Sequence, residues 1–313
     1  MKNTIISIVV VGVAAIVIGL AIFFLFQNPS PEENGTDKTR RLTYPTADTV
    51  QNQNDVKNEL PAAEENKEES VLGKSVENRD IVAYHYGDGD TEILFIGGIH
   101  GGYSWNTALV AYETMDYLKA NLDAIPANIK VTVIPVLNPD GLAKVAGTAG
   151  RFTAEDVSSS QTVQTSGRFN ANGVDLNRNF DCDWQSKGTW QKTSVSGGDG
   201  VFSEPESVAI KNYIEAQRPK AVVVWYSAAG GVFASSCHEG VLPETDTITN
   251  TYAKASGYPA YNNFDFYQIT GDMVNWLAKE KIPAISVLLS NHKDTEWAKN
   301  KAGIEALLNY YAE

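Results

Sequence analysis

His100 is the residue in this chain best placed to do chemistry. It ends the run Glu-Ile-Leu-Phe-Ile-Gly-Gly-Ile-His at 92–100, where the apolar stretch 93–96 predicts a buried strand and Gly97-Gly98 a tight turn at its exit. A neutral imidazole there could bind a metal or carry a proton. A single histidine among glycines is more often a structural turn residue than a ligand, so its meaning depends on what converges on it. The chain has 4 histidines and 2 cysteines. His85 falls on an earlier predicted strand, His238 on a predicted loop, and His292 just past the apolar run that ends at Leu289. Cys182 and Cys237 alone cannot build a metal cluster; they form one disulfide or remain two buried thiols, according to compartment.

Positioning such a residue requires a scaffold, and from residue 71 onward strand and helix signals alternate. Apolar runs predict strands over 81–86, 92–99, 129–137, 221–226 and 284–289, and helical spacing predicts helices over 107–120, 204–215, 272–280 and 299–311. This order argues an α/β domain with a mixed, largely parallel central sheet and helices on both faces. Asn138-Pro139-Asp140-Gly141 reads as a turn, and Glu204 and Glu206 flank Pro205 as a helix start. In such sheets ligands bind beyond the carboxyl ends of the strands, where His100, Asn138 and Tyr226 fall.

The formal net charge of -13 excludes nucleic acid, which needs a basic surface, and gives no reason for adhesion to anionic lipid. Residues 5–26 form an apolar run of 22 positions, 26 − 5 + 1, long enough to span a bilayer as a helix. The run lacks a small-x-small cleavage site and exceeds the usual signal-peptide core, so an uncleaved transmembrane anchor over 1–27 is expected. The flanking charges do not decide topology. A single-pass, membrane-anchored chain with an extracytoplasmic C-terminal domain is the expectation, because an anchor with a short leading tail usually carries the downstream domain across the membrane. Residues 28–70 are polar and acidic with almost no large apolar side chains, which predicts a disordered acidic linker before a domain over 71–313.

A series of motifs runs through that domain: LGKS at 72–75 with Arg79, GGIHGG at 97–102, NPDG at 138–141, GRFNANGVDLNRNFDCDW at 167–184, FSEPES at 202–207, VWYSAAGGVFASSC at 224–237, YQITGDMVNWL at 267–277 and IPAISVLLSNH at 282–292. In this order and spacing they resemble the zinc metallocarboxypeptidases of the carboxypeptidase A type, in particular a bacterial branch. The resemblance implies that fold, a zinc ion held by two histidines and a glutamate, and a glutamate as general base. Such a zinc keeps one position open for a water whose pKa it lowers to about 7.

His100 matches the first ligand, but the other central positions depart. The ligand glutamate is replaced by Tyr103 or Ser104, the second histidine by Tyr226, and the general base by Leu288. A phenol with pKa near 10 is a poor zinc ligand at neutral pH, and leucine accepts no proton. Since losing only a partner of a ligand commonly costs about 10–100-fold, losing two direct ligands should abolish tight binding, and losing the base removes a further ~10²–10⁴.

By the same resemblance, Asn177 and Arg178 would grip a peptide's C-terminal carboxylate, and Arg168 would steady the carbonyl oxygen. Tyr267 would close over bound ligand, Val274 would shape a pocket for an apolar terminal side chain, and Asp175 would hold the imidazole of His100. For Arg178 a buried pair with Asp175 or Asp181 is an open alternative, and for Tyr267 a place in the core. Cys182 and Cys237 flank the implied site, so a disulfide between them is expected outside the cell. The expectation is a catalytically degenerate pseudo-peptidase without zinc that binds peptide C-termini or peptidoglycan stem peptides. The alternative is an active zinc carboxypeptidase with a displaced metal site, and a third reading is an interaction domain whose groove Tyr103 and Tyr226 fill.

Overall fold

The computed structural model describes residues 68–312. The expected anchor at 5–26 and the linker as far as residue 67 lie outside the described residues. Among those described, no helix is long and apolar enough to cross a membrane. In chain order the main elements are β1 (Glu69–Lys74), β2 (Asp80–Tyr86), β3 (Thr91–Ile96), α1 (Trp105–Ala120), β4 (Ile129–Ile134), α2 (Pro139–Ala146), α3 (Gln161–Ser166), β5 (Lys187–Trp190), β6 (Thr193–Ser196), α4 (Pro205–Gln217), β7 (Ala221–Ser227), β8 (Gly231–Ala234), α5 (Pro243–Ser256), β9 (Ala260–Tyr261), α6 (Met273–Lys279), β10 (Ala284–Leu289) and α7 (Trp297–Tyr310).

Eight strands form one sheet in the order β1-β2-β4-β3-β7-β10-β8-β9, and β5 pairs with β6 in a separate hairpin. The middle of the sheet, β4-β3-β7-β10, is parallel, and antiparallel pairs flank it at β2-β4 and β10-β8. This is the mixed, largely parallel sheet expected from the alternating elements.

Side chains on a strand alternate between faces, so each buried central strand feeds two cores. Ile93 and Phe95, Val223 and Trp225, and Ile285 and Val287 pack in one core with residues of α1, α5 and α7. Leu94 and Ile96, Val222, Val224 and Tyr226, and Ala284 and Leu288 pack in the other with Ile210 and Ile214 of α4 and Met273 and Trp276 of α6. Burying these side chains on both faces at roughly 1.5–3 kcal/mol each is the main force holding the layers together. The consequence for function is a matter of register: Leu288 lies directly beside Tyr226 on the neighbouring parallel strand, both on the same face.

Three local readings change. Asn138-Pro139-Asp140-Gly141 is a helix start and not a free turn: Asn138 Oδ1 accepts from Gly141 N at 2.9 Å and Pro139 opens α2. Asn followed by Pro signals both structures, so composition could not separate them. Strand β1 begins at Glu69, inside the stretch expected to be linker, because Glu69 and Ser70 pair with Tyr84 and Ala83 of β2. Helix α5 and the β5-β6 hairpin carry too few regularly spaced apolar residues to announce themselves.

Candidate functional site

His100 stands at the carboxyl end of β3, in the crevice expected for this sheet. The glycines around it let the backbone pass closely: at Gly101, φ is +43° and a Cβ would lie 2.6 Å from the Gly167 carbonyl oxygen, so a side chain there would displace the loop carrying Arg168. His100 is buried, and its Nε2 lies 3.5 Å from Asp175 Oδ1. The other carboxylate oxygen of Asp175 accepts from Arg168 Nε at 2.9 Å and lies 2.8 Å from Nη2. Burial alone would raise the Asp175 pKa; the Arg168 guanidinium, aided by His100, outweighs it and holds the carboxyl well below its usual range. Burial, reinforced by the nearby Arg168 charge, pushes the His100 imidazole down to about 4. At neutral pH the site therefore holds a neutral imidazole with neither ring nitrogen in a hydrogen bond, Nε2 facing Asp175 and Nδ1 without a partner.

The opposite wall carries Tyr226 and Leu288. The Tyr226 ring centroid lies 5.6 Å from that of His100. Burial drives the Tyr226 pKa well above 10, so the group stays a phenol, and it donates to Asn177 Oδ1 at 3.1 Å. The same oxygen accepts from Met273 N, while Asn177 Nδ2 donates to Asp272 Oδ2 at 2.8 Å. Asn177, expected to face a ligand, thus has its carboxamide committed inside the protein. Leu288 is buried beside Tyr226, and Ser104, at the start of α1, has a buried hydroxyl without a partner. A zinc ion needs three protein ligands here, and the set offers one free imidazole nitrogen, a hydroxyl and a protonated phenol. These residues do not fit a tightly held zinc. The Cys182, Cys237 and His238 cluster is no substitute, since the two cysteines are joined in a disulfide.

Arg178 is 1% exposed and pairs with neither Asp175 nor Asp181: Asp175 is held by Arg168, and Asp181 by Lys279. Its Nη1 donates to the Asn177 carbonyl at 2.6 Å and Nη2 to the Thr189 carbonyl at 2.8 Å, and its Nε has no partner. Tyr267 is half-buried, with its ring centroid 6.0 Å from the Arg178 guanidinium carbon. Val274 does not line an open pocket; it is 4% exposed and packed in the α4 and α6 core. An aromatic cluster packs on Arg168: Tyr103 contacts Trp190 at 4.9 Å and His292 at 4.5 Å between ring centroids, and Trp190 stacks 4.5 Å from the Arg168 guanidinium.

Residues 62–307 match the sequence model described as zinc carboxypeptidase. The chain belongs to the zinc carboxypeptidase family. Among curated relatives of this family member, the metallocarboxypeptidase A of Arthroderma otae is 27% identical over 254 residues, covering 71% of this chain and 58% of the relative. The gamma-D-glutamyl-L-diamino acid endopeptidase 1 of Lysinibacillus sphaericus is 22% identical over 253 residues, covering 73% of this chain and 63% of the relative. The chain therefore spans less than two thirds of the length of both. The murein-tripeptide amidase of Escherichia coli O157 shares the fold at 19% identity and TM-score 0.52, covering 79% of this chain and 93% of that one.

In this family member the structure adds residues that sequence reasoning missed. Asp272 caps α6, accepting from Asn275 N at 3.0 Å, and orients Asn177; its place before an apolar helix was the available signal. Trp190 belongs to a hairpin turning at Gln191 and Lys192, which lacks the Asn-Gly or Asp-Gly signature. His292 is tied to Ser227 and Asn106. Asn106 Nδ2 donates to two backbone carbonyls, so its Oδ1 accepts from Ser227 Oγ, and His292 Nδ1 must carry the proton that meets Ser227 at 2.9 Å. His292 is thereby a structural partner at the rim, with burial lowering its pKa.

Proposed function

We propose that this chain is a catalytically degenerate carboxypeptidase-like binding domain that recognises peptides through a terminal carboxylate, with cell-wall stem peptides as the favoured class. The observation that carries the reading is the contrast at His100: one ligand position is kept with its Asp175 support, while Ser104, Tyr226 and Leu288 fill the other three central positions. Hydrolysis needs an activated water, and these residues supply neither a three-ligand metal nor a general base. Binding needs less. Arg178 is a buried cation with no carboxylate at ion-pair distance among the described residues, and an unpaired buried charge is costly unless an anion meets it. A ligand carboxylate supplies that anion, and bidentate pairing with a guanidinium gives it orientation.

The cell-wall preference draws on the names of two similar proteins, a gamma-D-glutamyl-L-diamino acid endopeptidase and a murein-tripeptide amidase. Anchoring through residues 5–26 with the domain outside the cytoplasm agrees with this class of ligand, and the Cys182–Cys237 disulfide suits an oxidising compartment. The test is calorimetry on the purified domain with Ala-Ala-Ala-Leu, its C-terminal amide, and an L-Ala-γ-D-Glu-diaminopimelate stem peptide, alongside an assay for released C-terminal residues. Binding of the free acids, loss of binding on amidation or in Arg178→Ala, and no release with zinc supplied are expected. Chelator-sensitive release of the terminal residue would overturn the proposal.

A further inference from the structure

We propose that the β5-β6 hairpin is an internal competitor for the carboxylate subsite, so that a ligand must lift its tip to bind. This rests on the carboxylate-binding reading above. The hairpin stands apart from the central sheet and reaches the site with its own backbone. The Thr189 carbonyl oxygen occupies Arg178 Nη2, and the Trp190 indole stacks on Arg168 while touching Tyr103 edge-on. Gly188 rests on the arginine stem so closely that a Cβ there would lie 2.7 Å from Arg178 Cδ. The chain thus sets a carbonyl and an aromatic side chain on the two guanidinium groups that a peptide end would use.

The occupant is a weak one. A carbonyl is a neutral acceptor, whereas a carboxylate forms charge-assisted bonds roughly twice as strong. Arg178 Nε is buried without an acceptor even with the hairpin in place. Beyond these contacts the tip is held by an edge-on packing of Trp190 on Phe169, 6.5 Å between ring centroids. In β5 and β6 only Gly188 and Val195 are buried, which is the low-stability end of the structure. The base is fixed differently: Ser196 carbonyl accepts from Asp175 N at 3.0 Å and Ser186 carbonyl from Gly197 N at 2.9 Å. Movement of the tip about this base exposes Arg178 and Arg168 without disturbing the His100–Asp175 contact. A protein held mostly closed shows an affinity reduced by its open fraction, so weakening the closed state raises affinity without adding a contact to ligand.

The experiment compares the wild-type protein with Trp190→Ala and Gly188→Ala, using Ala-Ala-Ala-Leu and its C-terminal amide as calorimetric probes. Hydrogen exchange of amides 187–196 is followed with and without the free acid, and thermal melts verify folding. Trp190→Ala removes the indole from Arg168 and Tyr103, whereas Gly188→Ala crowds the strand off the Arg178 stem, so the tip is loosened by different means and one variant that fails to fold leaves the other. The expected result is roughly tenfold tighter binding of the free acid in the variants, no such gain for the amide, and faster exchange of 189–192 when wild type is saturated. Equal affinity in wild type and variants, or slower exchange of the tip on binding, overturns the competitor while leaving carboxylate binding intact. Failure of every protein to bind the free acid overturns both readings.

Discussion

The two walls around His100 are built in opposite ways. On one, Asp175 is buried with Arg168 and His100, its two carboxylate oxygens shared between them. On the other, Tyr226 and Leu288 meet in register on adjacent strands, and Tyr226 turns its hydroxyl away from any metal role to bind Asn177. The difference teaches that support and chemistry can be separated. Asp175 neutralises a buried arginine, so removing it would harm the fold whatever happens to catalysis. Tyr226 and Leu288 are held by packing and, for Tyr226, by one hydrogen bond, so neither balances a buried charge.

Breaking the first wall should have the largest effect. Asp175→Ala leaves Arg168 a buried charge without its partner, and a loss of about 3–5 kcal/mol in denaturant unfolding is expected. A smaller loss comes from pH. His100 titrates near 4 when folded against an ordinary 6.5, so the unfolded chain binds the extra proton between these values. Stability from this group is therefore complete above pH 6.5 and falls as pH drops toward 4, by about 3 kcal/mol in all. Urea unfolding at steps from pH 7 to 4 should show a steeper slope in wild type than in His100→Gln, whose remaining slope comes from the other, partly buried histidines, His85 and His292. The depressed Asp175 carboxyl stays ionised through this window and adds its own loss only at lower pH. On the second wall Tyr226→Phe removes one hydrogen bond, while Met273 N still satisfies Asn177 Oδ1, and thermal unfolding should report only about 1 kcal/mol. A cost as large as that of Asp175→Ala would erase the distinction between the walls.

Much of this was legible in the chain. The apolar runs at 93–96, 221–226 and 284–289 announced the central strands because each is buried on both faces, and GGIHGG and DLNRN announced the crevice. That Ser104, Tyr226 and Leu288 carry neither a carboxylate nor an imidazole was readable from residue type alone. What could not be read was the commitment of retained residues. Asn177 keeps its identity but binds Tyr226 and Asp272, and Val274 keeps its position in α6 but faces the core. Pairing of polar atoms depends on three-dimensional neighbours far apart in sequence, as with Asn177 and Asp272, and no local pattern records it. The hairpin carrying Trp190 was hidden for a related reason: most of its residues are exposed, so it has no apolar periodicity to reveal it.

The proposal that one wall keeps its support while the other lacks metal chemistry is tested most directly by titrating zinc into the metal-free protein by calorimetry, beside a variant carrying Ser104→Glu, Tyr226→His and Leu288→Glu. The wild-type domain should take up no stoichiometric zinc at micromolar concentration, while the variant, given its three ligands around the retained Asp175 support, should bind one ion. Stoichiometric, tight zinc binding by the wild-type domain that disappears in His100→Gln would contradict the account.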